Sequence, residues 1–552
     1  MRKNTTEPTE TQAQKPVEEP KVKKTKAAVR SWRPLMILGV LMFLAAFVRV
    51  AFSFSVSAGS DFALSGGTDA SNNLRFIESI VEYHKIRFTD NWLNYPEGSL
   101  IVIPVLFDAL MAAVAMLVNV FMDDPVKASS FALAISGPVF GVLACIPMYF
   151  VGKEMFSSKV AGYAAAAFLA LCPVFVQESV FSNGTGTSFA VFLFLFGIYY
   201  LIRALKVPQG DAVSAYKTAG IAGIFIAAAM GSWIDFRQVA IPLVIVMIAQ
   251  TLIDRFKGKD PRPAAMVYSI AMAVGFILPC IGYSIVGYFT ALVSGTLIMV
   301  VLAIAFTLAY SVTYKKPWVL TLPVCAGVCL LVLLVIAIVS PSLYGCIVSG
   351  NNYYDPAVVD MMGRQYLTLS QLTAYYGVVT YWFVFLVFLY MVFRFLRNSG
   401  SPVYVFTLFW LFVMTLTLGH DSMQAAFAAP VFALGFAVIV KIVLEHVNFK
   451  AYFSGIKTGA DAKVRLKRVF SPDPLLAILI AVFLVAGPNM MQVIDAGISS
   501  NDVDDYNDQI SDVTGNDQFG PLSYYIKTDD TWTVRDALAA VRGGYGAVAS
   551  WR

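Results

Sequence analysis

The chain has 552 residues, of which 58% are hydrophobic and only 14% charged, with a mean hydropathy of +0.70 and a formal net charge of +5. A soluble domain carries about 25% charged residues, so this balance excludes a soluble globular protein and describes a polytopic membrane protein. Three histidines in the whole chain argue against a histidine zinc site. Nothing resembles a Walker A loop or a Rossmann glycine fingerprint, so ATP-driven transport is unsupported, and no feature points to nucleic acid. Of the six cysteines, all but Cys346 lie in apolar runs without metal-ligand spacing and read as small buried hydrophobes.

Residues 1–33 are rich in Thr, Glu, Gln, Pro and Lys and turn basic toward Arg33. They cannot bury a core and read as a disordered basic cytoplasmic tail. No cleavage site follows, so the next segment, Pro34–Ser53, is an anchor and the first span. Apolar runs then recur at Leu100–Met122, Ala128–Val151, Val160–Val176, Ser188–Leu205, Thr218–Trp233, Val239–Ile253, Ala264–Tyr288, Ala291–Val312, Trp318–Ile338, Thr373–Phe393, Val403–Leu418, Gln424–Val440 and Leu475–Ala486. At roughly 20 residues per crossing, about fourteen runs are long enough to consider.

Charge reduces that number. Lys153–Lys159, Arg203–Lys217, Arg255–Arg262, Lys315–Lys316, Arg394–Arg397 and Lys441–Arg468 are basic connections. Basic connections belong on the cytoplasmic side, with the basic N-terminus. They all fall there only if Leu100–Met122, which starts beside Pro104 and carries Asp108, does not cross. The expectation is an all-α polytopic membrane protein of about 13 transmembrane helices, spanning residues 34–488 of the cell membrane. Its N-terminus is cytoplasmic, its first external loop is large and contains amphipathic helices, and residues 489–552 are extracytoplasmic. The acidic run Asp502–Asp517 in that tail lacks an EF-hand pattern and reads as a solvated linker.

The first loop holds the longest polar stretch between apolar segments in the first half of the chain, Thr68–Pro104. Leu74, Ile77, Ile80 and Val81 recur at helical spacing, so Asp69 stands at the start of an amphipathic helix, where the dipole favours an anion. A helix cap would account for an acid there without any chemistry. The stretch continues into a turn at Tyr95-Pro96-Glu97-Gly98 and then into a second apolar run.

The pattern Asp69-x5-Arg75-x2-Glu78, then Tyr95-Pro96-x-Gly98, then Pro104-x-Leu106-Phe107-Asp108 resembles the first external loop of the catalytic subunit of oligosaccharyltransferase, especially the archaeal form. The resemblance implies a GT-C-like fold of thirteen spans, with Asp69 as catalytic carboxylate and ligand of a divalent metal, Mn2+ or Mg2+. It also implies a lipid-linked oligosaccharide donor and an acceptor protein carrying Asn-x-Ser/Thr. The metal would neutralise the leaving pyrophosphate. Arg75 would bind substrate, or else pair with Glu78 along its helix.

Elsewhere the chain departs from the family pattern. In the second external loop, Glu178 stands where the family has an arginine, and Thr185 and Thr187 stand where it has acids. Hydroxyls are poor ligands for a hard cation, and Glu178 is the one carboxylate that could compensate. Asn183-Gly184-Thr185 matches a glycosylation sequon but lies against the membrane, where a chance match is the simpler reading. In the loop Ser342–Leu372, Gln371 takes the place of an acceptor-binding glutamate, or is a polar residue at a helix start. His420 stands where a phosphate-binding arginine is expected, and Trp551 matches the first residue of the family's Trp-Trp-Asp-Tyr-Gly sequon-reading motif. The family's external globular domain would follow Trp551, so residues 489–552 read as the run-in to a truncated or missing domain. The runner-up readings are another polyprenyl-phosphate-sugar-dependent glycosyltransferase, a non-catalytic relative and a membrane transporter.

Overall fold

The computed structural model describes residues 33–446, with breaks at 52, 60–61, 63, 88, 91–98, 101–103, 209, 286–290, 342–343, 345–366, 398–401, 418 and 420–423, together with 475–476 and 479. The described residues are almost entirely helical. The helices are α1 (Arg33–Val50), α2 (Ser53–Gly59), α3 (Gly67–Tyr83), α4 (Val105–Met122), α5 (Pro125–Leu143), α6 (Cys145–Phe156), α7 (Lys159–Ala170), α8 (Pro173–Gln177), α9 (Thr187–Lys206) and α10 (Ala212–Met230). They continue with α11 (Ala240–Phe256), α12 (Arg262–Met272), α13 (Leu278–Ile285), α14 (Ala291–Val312), α15 (Trp318–Val339), α16 (Leu369–Tyr376), α17 (Val378–Arg397), α18 (Pro402–Thr417) and α19 (Ala425–His446). Two dipeptide strands, β1 (Thr89–Asp90) and β2 (Ser99–Leu100), pair antiparallel with Thr89 opposite Leu100. They close the polar stretch into a hairpin before α4.

Several expected runs are broken where the backbone chemistry requires it. Val160–Val176 divides at Cys172-Pro173, because proline cannot donate to the preceding turn, and leaves α7 and the five-residue α8. Thr373–Phe393 divides at Gly377, whose φ of 88° suits glycine. Ala264–Tyr288 contains a π-turn at Ala273–Ile277. There Gly223 and Gly275 let α10 approach closely, since a Cβ on Gly223 would lie 2.6 Å from Val274 Cβ.

Among the described residues, eight helices are long and apolar enough to cross a membrane, counting Pro125–Phe156 as one of 32 residues, and three shorter apolar helices accompany them. The molecule is thus a multi-pass membrane protein. Apolar residues left exposed on α15, such as Leu330, Leu331, Leu334 and Ile338, face the position of lipid.

By length and apolarity α4 qualifies as a span, yet its placement differs from the rest. The Leu106 N–H donates to Gly231 O (3.0 Å), just past the end of α10. Phe107 packs on Phe189 at the start of α9, and Phe189 packs on Phe140 late in α5. At its other end α4 turns at Asp123, and Asp124 caps α5 through Val126 and Lys127. The pair is therefore an antiparallel hairpin. α5 meets the α8–α9 loop at Ala134–Gly141, where the Ser182 N–H donates to Ala134 O (3.1 Å). From Ala134 to Phe156 at ~1.5 Å per residue is about 34 Å, one bilayer.

The opposite end of the bundle gathers the basic groups. Lys206 of α9 pairs with Glu154 of α6 (3.0 Å), and Lys441 of α19 donates to Phe156 O (3.1 Å). At the ends of α11 and α17, Lys257 donates to Phe395 O (3.2 Å).

Candidate functional site

The first candidate element is α3, whose buried face is Ala70, Asn73, Phe76, Ile77, Ile80 and Val81. This is the periodicity expected from the sequence. The helix starts one residue after Gly66, which makes no side-chain cap, so Asp69 sits in the first turn rather than at the cap. Asp69 is exposed and lies four residues before Asn73, hence one turn ahead on the same face. Arg75 is two residues past Asn73, about 200° round the helix, and is exposed. The helix thus aims Asp69 and Arg75 at different surroundings.

The second element is the α8–α9 loop, Glu178–Gly186, which α3 and its run-in grip along one seam. The Ser65 N–H donates to Ser182 O (2.8 Å), and the two hydroxyls meet at 2.9 Å. Gly66 lies so close that a Cβ there would run into the Asn183 carbonyl oxygen. Asn73 Nδ2 donates to Gly184 O (3.4 Å). Behind the seam, Phe181 sits edge-on to Phe54 (5.2 Å) and Phe62 (6.4 Å), tying the loop to the segment between α1 and α3.

Inside the loop, Ser182 (φ 84°) and Gly184 (φ 69°) take left-handed conformations that turn the chain back on itself. Asn183 stabilises the turn: Nδ2 donates to Gln177 O (3.3 Å), and Oδ1 accepts from the Thr185 N–H (3.1 Å) and lies against the Thr185 hydroxyl. The Asn183 amide is buried and engaged, so the sequon match is structural rather than a modification site. Glu178 follows α8 and is partly exposed, with Oε2 3.5 Å from the Thr185 hydroxyl. Thr185 and Thr187 occupy the positions where acids were expected, and here they serve Glu178 as hydrogen-bond donors.

Asp69 and Glu178 meet electrostatically. Burial first, and Asp69's negative charge second, favour the protonated form of Glu178, while hydrogen bonds from Thr187 and Thr185 oppose them. The net effect pushes the Glu178 carboxyl up to about 7. The other predicted residues fare differently. Gln371 closes a capping box at the start of α16: its Oε1 accepts from the Thr368 N–H (2.9 Å), and the Gln371 N–H donates to the Thr368 hydroxyl (3.4 Å). Its amide oxygen thus serves the helix start, the alternative that the sequence also offered. His420 and Trp551 lie outside the described residues, as do the Tyr95–Gly98 turn and residues 489–552.

A ready-made metal centre is not found: among the described residues, no three His, Cys, Asp or Glu side chains gather to hold an ion. Two carboxylates still fit a cation of the Mg2+ type, which retains waters and takes one or two carboxylates plus substrate phosphates. Sequence reasoning missed Arg49, which is fully buried at the end of α1 and donates to Ser179, the residue after Glu178. The signal was present as a lone arginine inside an apolar run.

The coupling makes a titration prediction. In Asp69→Asn the neighbouring charge goes and burial remains, so the Glu178 midpoint falls below 7 yet stays above the ordinary glutamate value of about 4.3. Isotope-edited infrared titration of the Glu178 carboxyl measures it. An unchanged midpoint would show that the two loops do not present their charges to each other.

The comparisons follow this geometry. Residues 104–283 match the family model described as dolichyl-phosphate-mannose-protein mannosyltransferase. The dolichyl-monophosphooligosaccharide–protein glycotransferase AglB of Haloferax volcanii is 24% identical over 267 residues, 45% of this chain and 25% of that protein. A dolichyl-phosphooligosaccharide-protein glycotransferase of Archaeoglobus fulgidus is 26% identical over 268 residues, 48% of this chain and 41% of that protein. In structure, the chain superposes with a TM-score of 0.67 and 18% identity on the archaeal oligosaccharyltransferase AglB of Archaeoglobus fulgidus, solved with an inhibitory peptide and a dolichol-phosphate. That match covers 94% of this chain and 61% of the solved one. The chain therefore spans less than two thirds of the length of each relative. It has the fold of these membrane glycosyltransferases and, along about half its length, is oligosaccharyltransferase-like in sequence.

Proposed function

We propose that this protein is an oligosaccharyltransferase-like membrane glycosyltransferase that moves a glycan from a polyprenyl phosphate or diphosphate carrier to a protein asparagine on the external face. The observation that carries the reading is the seam that holds the start of α3, with Asp69 in its first turn, against the second loop that carries Glu178. Sequence similarity to archaeal glycotransferases supports it independently.

In the proposed reaction the asparagine amide nitrogen forms a bond to the anomeric carbon as the bond from that carbon to the phosphate oxygen breaks. The amide is a weak nucleophile and gives up a proton. In this reading the carboxylate of Asp69, exposed at the start of α3, takes that proton. Glu178 completes a carboxylate pair that would hold Mg2+ or Mn2+, and the metal when bound offsets the charge of the leaving phosphate. Thr185 and Thr187 keep the Glu178 side chain oriented by donating to it.

Metal and donor binding test this assignment. Asparagine keeps the size of Asp69 and removes its charge. We expect Asp69→Asn to abolish Mn2+- or Mg2+-dependent binding of a polyprenyl diphosphate sugar, with the helical content unchanged. Equal metal dependence in the two proteins would remove Asp69 from the site and leave the fold alone to support the reading.

A second reading draws on the mannosyltransferase family match: transfer of a sugar from a polyprenyl monophosphate to an acceptor hydroxyl. Acceptor choice separates the two. The first reading predicts label on asparagine in an Asn-x-Thr peptide, the second on the threonine.

The orientation is part of the proposal. The basic end of the bundle, with Lys206 and Lys441, faces the cytoplasm, and the end carrying α3 and the second loop faces outward. Single cysteines at Ser71 and Lys159, both exposed, test this with an impermeant thiol reagent on intact cells. Ser71→Cys is expected to label from outside and Lys159→Cys only after permeabilisation. Labelling of both from one side contradicts the arrangement.

A further inference from the structure

Arg49 has no exposed surface, and among the described residues it is the one basic side chain buried to that degree. A charged group inside a membrane-spanning segment is costly, and where one persists its contacts show its use. No carboxylate accepts from it. Instead Nε donates to the Ser179 hydroxyl (2.7 Å), and Nη1 donates to Ala45 O (3.0 Å) and Ala170 O (2.8 Å). The guanidinium lies 5.4 Å from the centroid of the Phe175 ring. Its own backbone carbonyl accepts from the Phe181 N–H (2.8 Å). Space for this arrangement is kept by Gly141 of α5, where a Cβ would stand 2.7 Å from both Arg49 Nε and Ser179 Cβ. One residue of α1 therefore touches α8 at 175 and holds the second loop at 179 and 181, on both sides of Glu178 in the chain.

The α3 seam holds the same loop at 182, 183 and 184. α8, which leads into Glu178, is only five residues long and cannot hold its own geometry. The two grips thus divide the work: α3 carries Asp69 and fixes the far half of the loop, and Arg49 fixes the near half, which carries Glu178. We propose that Arg49 is a positioning residue, which through Ser179 and Phe181 sets the Glu178 carboxylate opposite Asp69. It acts through the loop backbone, as its fork reaches Ser179, Ala45 and Ala170 and not Glu178 itself. A lysine retains the charge but has no fork to engage Ser179 and Ala170 together.

The test uses the full chain in lipid nanodiscs, with two readouts. The first is the spread of distances between spin labels at Asn72→Cys and Glu178→Cys, measured by pulsed electron paramagnetic resonance. It does not depend on any metal. The second, which rests on the functional reading above, is the Mn2+ dissociation constant of the chain without labels. Arg49→Met removes the buried charge with an unbranched apolar side chain, and the Ser179 hydroxyl keeps its bonds to Phe175 O and Val176 O. We expect its melting temperature to stay near wild type, its distance distribution to broaden at least twofold, and its Mn2+ affinity to fall about tenfold. Arg49→Lys should recover part of both. Ser179→Ala, which removes the acceptor alone, should act in the same direction, with little further effect when combined with Arg49→Met. If Arg49→Met does not fold, Ser179→Ala and Arg49→Lys carry the test. A folded Arg49→Met with wild-type distances overturns the inference, as does full additivity with Ser179→Ala. Broadened distances in a chain that binds no Mn2+ even as wild type uphold the positioning role and reject the metal reading.

Discussion

The contact on which the candidate site depends is the close approach of Gly66 to the Asn183 carbonyl. Any side chain at 66 would hold the run-in of α3 away from the second loop. The hydroxyl contact between Ser65 and Ser182 and the bond from Asn73 to Gly184 would then be out of reach. With the seam closed, α3 and a loop more than a hundred residues away in sequence come together, and the charge of Asp69 is felt at Glu178. The nearness of the two segments is a consequence of packing between the run-in of α3 and the second loop. The aromatic contacts of Phe181 with Phe54 and Phe62 give that packing an apolar floor.

The chemistry of the pair follows from where the seam lies. It closes at the level where α5 meets the second loop, about one bilayer from the basic end of α6. A carboxylate there is partly desolvated, and a second negative charge beside it raises the cost of ionising both. Such a pair has a ready use for a divalent cation, which relieves the repulsion and leaves room for phosphate oxygens and water. The replacement of family acids by Thr185 and Thr187 is consistent with this economy. In the proposed reading one carboxylate in the second loop, with two hydroxyl donors to it, would take the place of the two acids of the family pattern.

Much of this was legible in the sequence, for identifiable reasons. The α3 periodicity of Leu74, Ile77, Ile80 and Val81 survives intact because a helix at a membrane surface obeys the same 3.6-residue rule as any other. Asp69 could be singled out by its spacing to Arg75, and the same spacing sets the two about 120° apart round the helix. Thr368-x-x-Gln371 is itself a capping-box signal, so the helix-start reading of Gln371 was legible beside the ligand reading. The split of α7 from α8 was readable at Cys172-Pro173, the split at Gly377 less so. The tertiary role of Arg49 was not readable, because its partners are backbone carbonyls and a serine, groups that carry no pattern. The same holds for Gly66, whose importance lies in a side chain it does not have.

The central claim is that Asp69 and Glu178 together hold one divalent cation at the end of the bundle. The most direct measurement is an anomalous difference map from crystals of the full chain grown with Mn2+ and collected at the manganese edge. The account predicts a single strong peak bounded by the carboxylates of Asp69 and Glu178, lost in Glu178→Gln. A manganese peak ligated by neither residue, with the space between them empty, would contradict it.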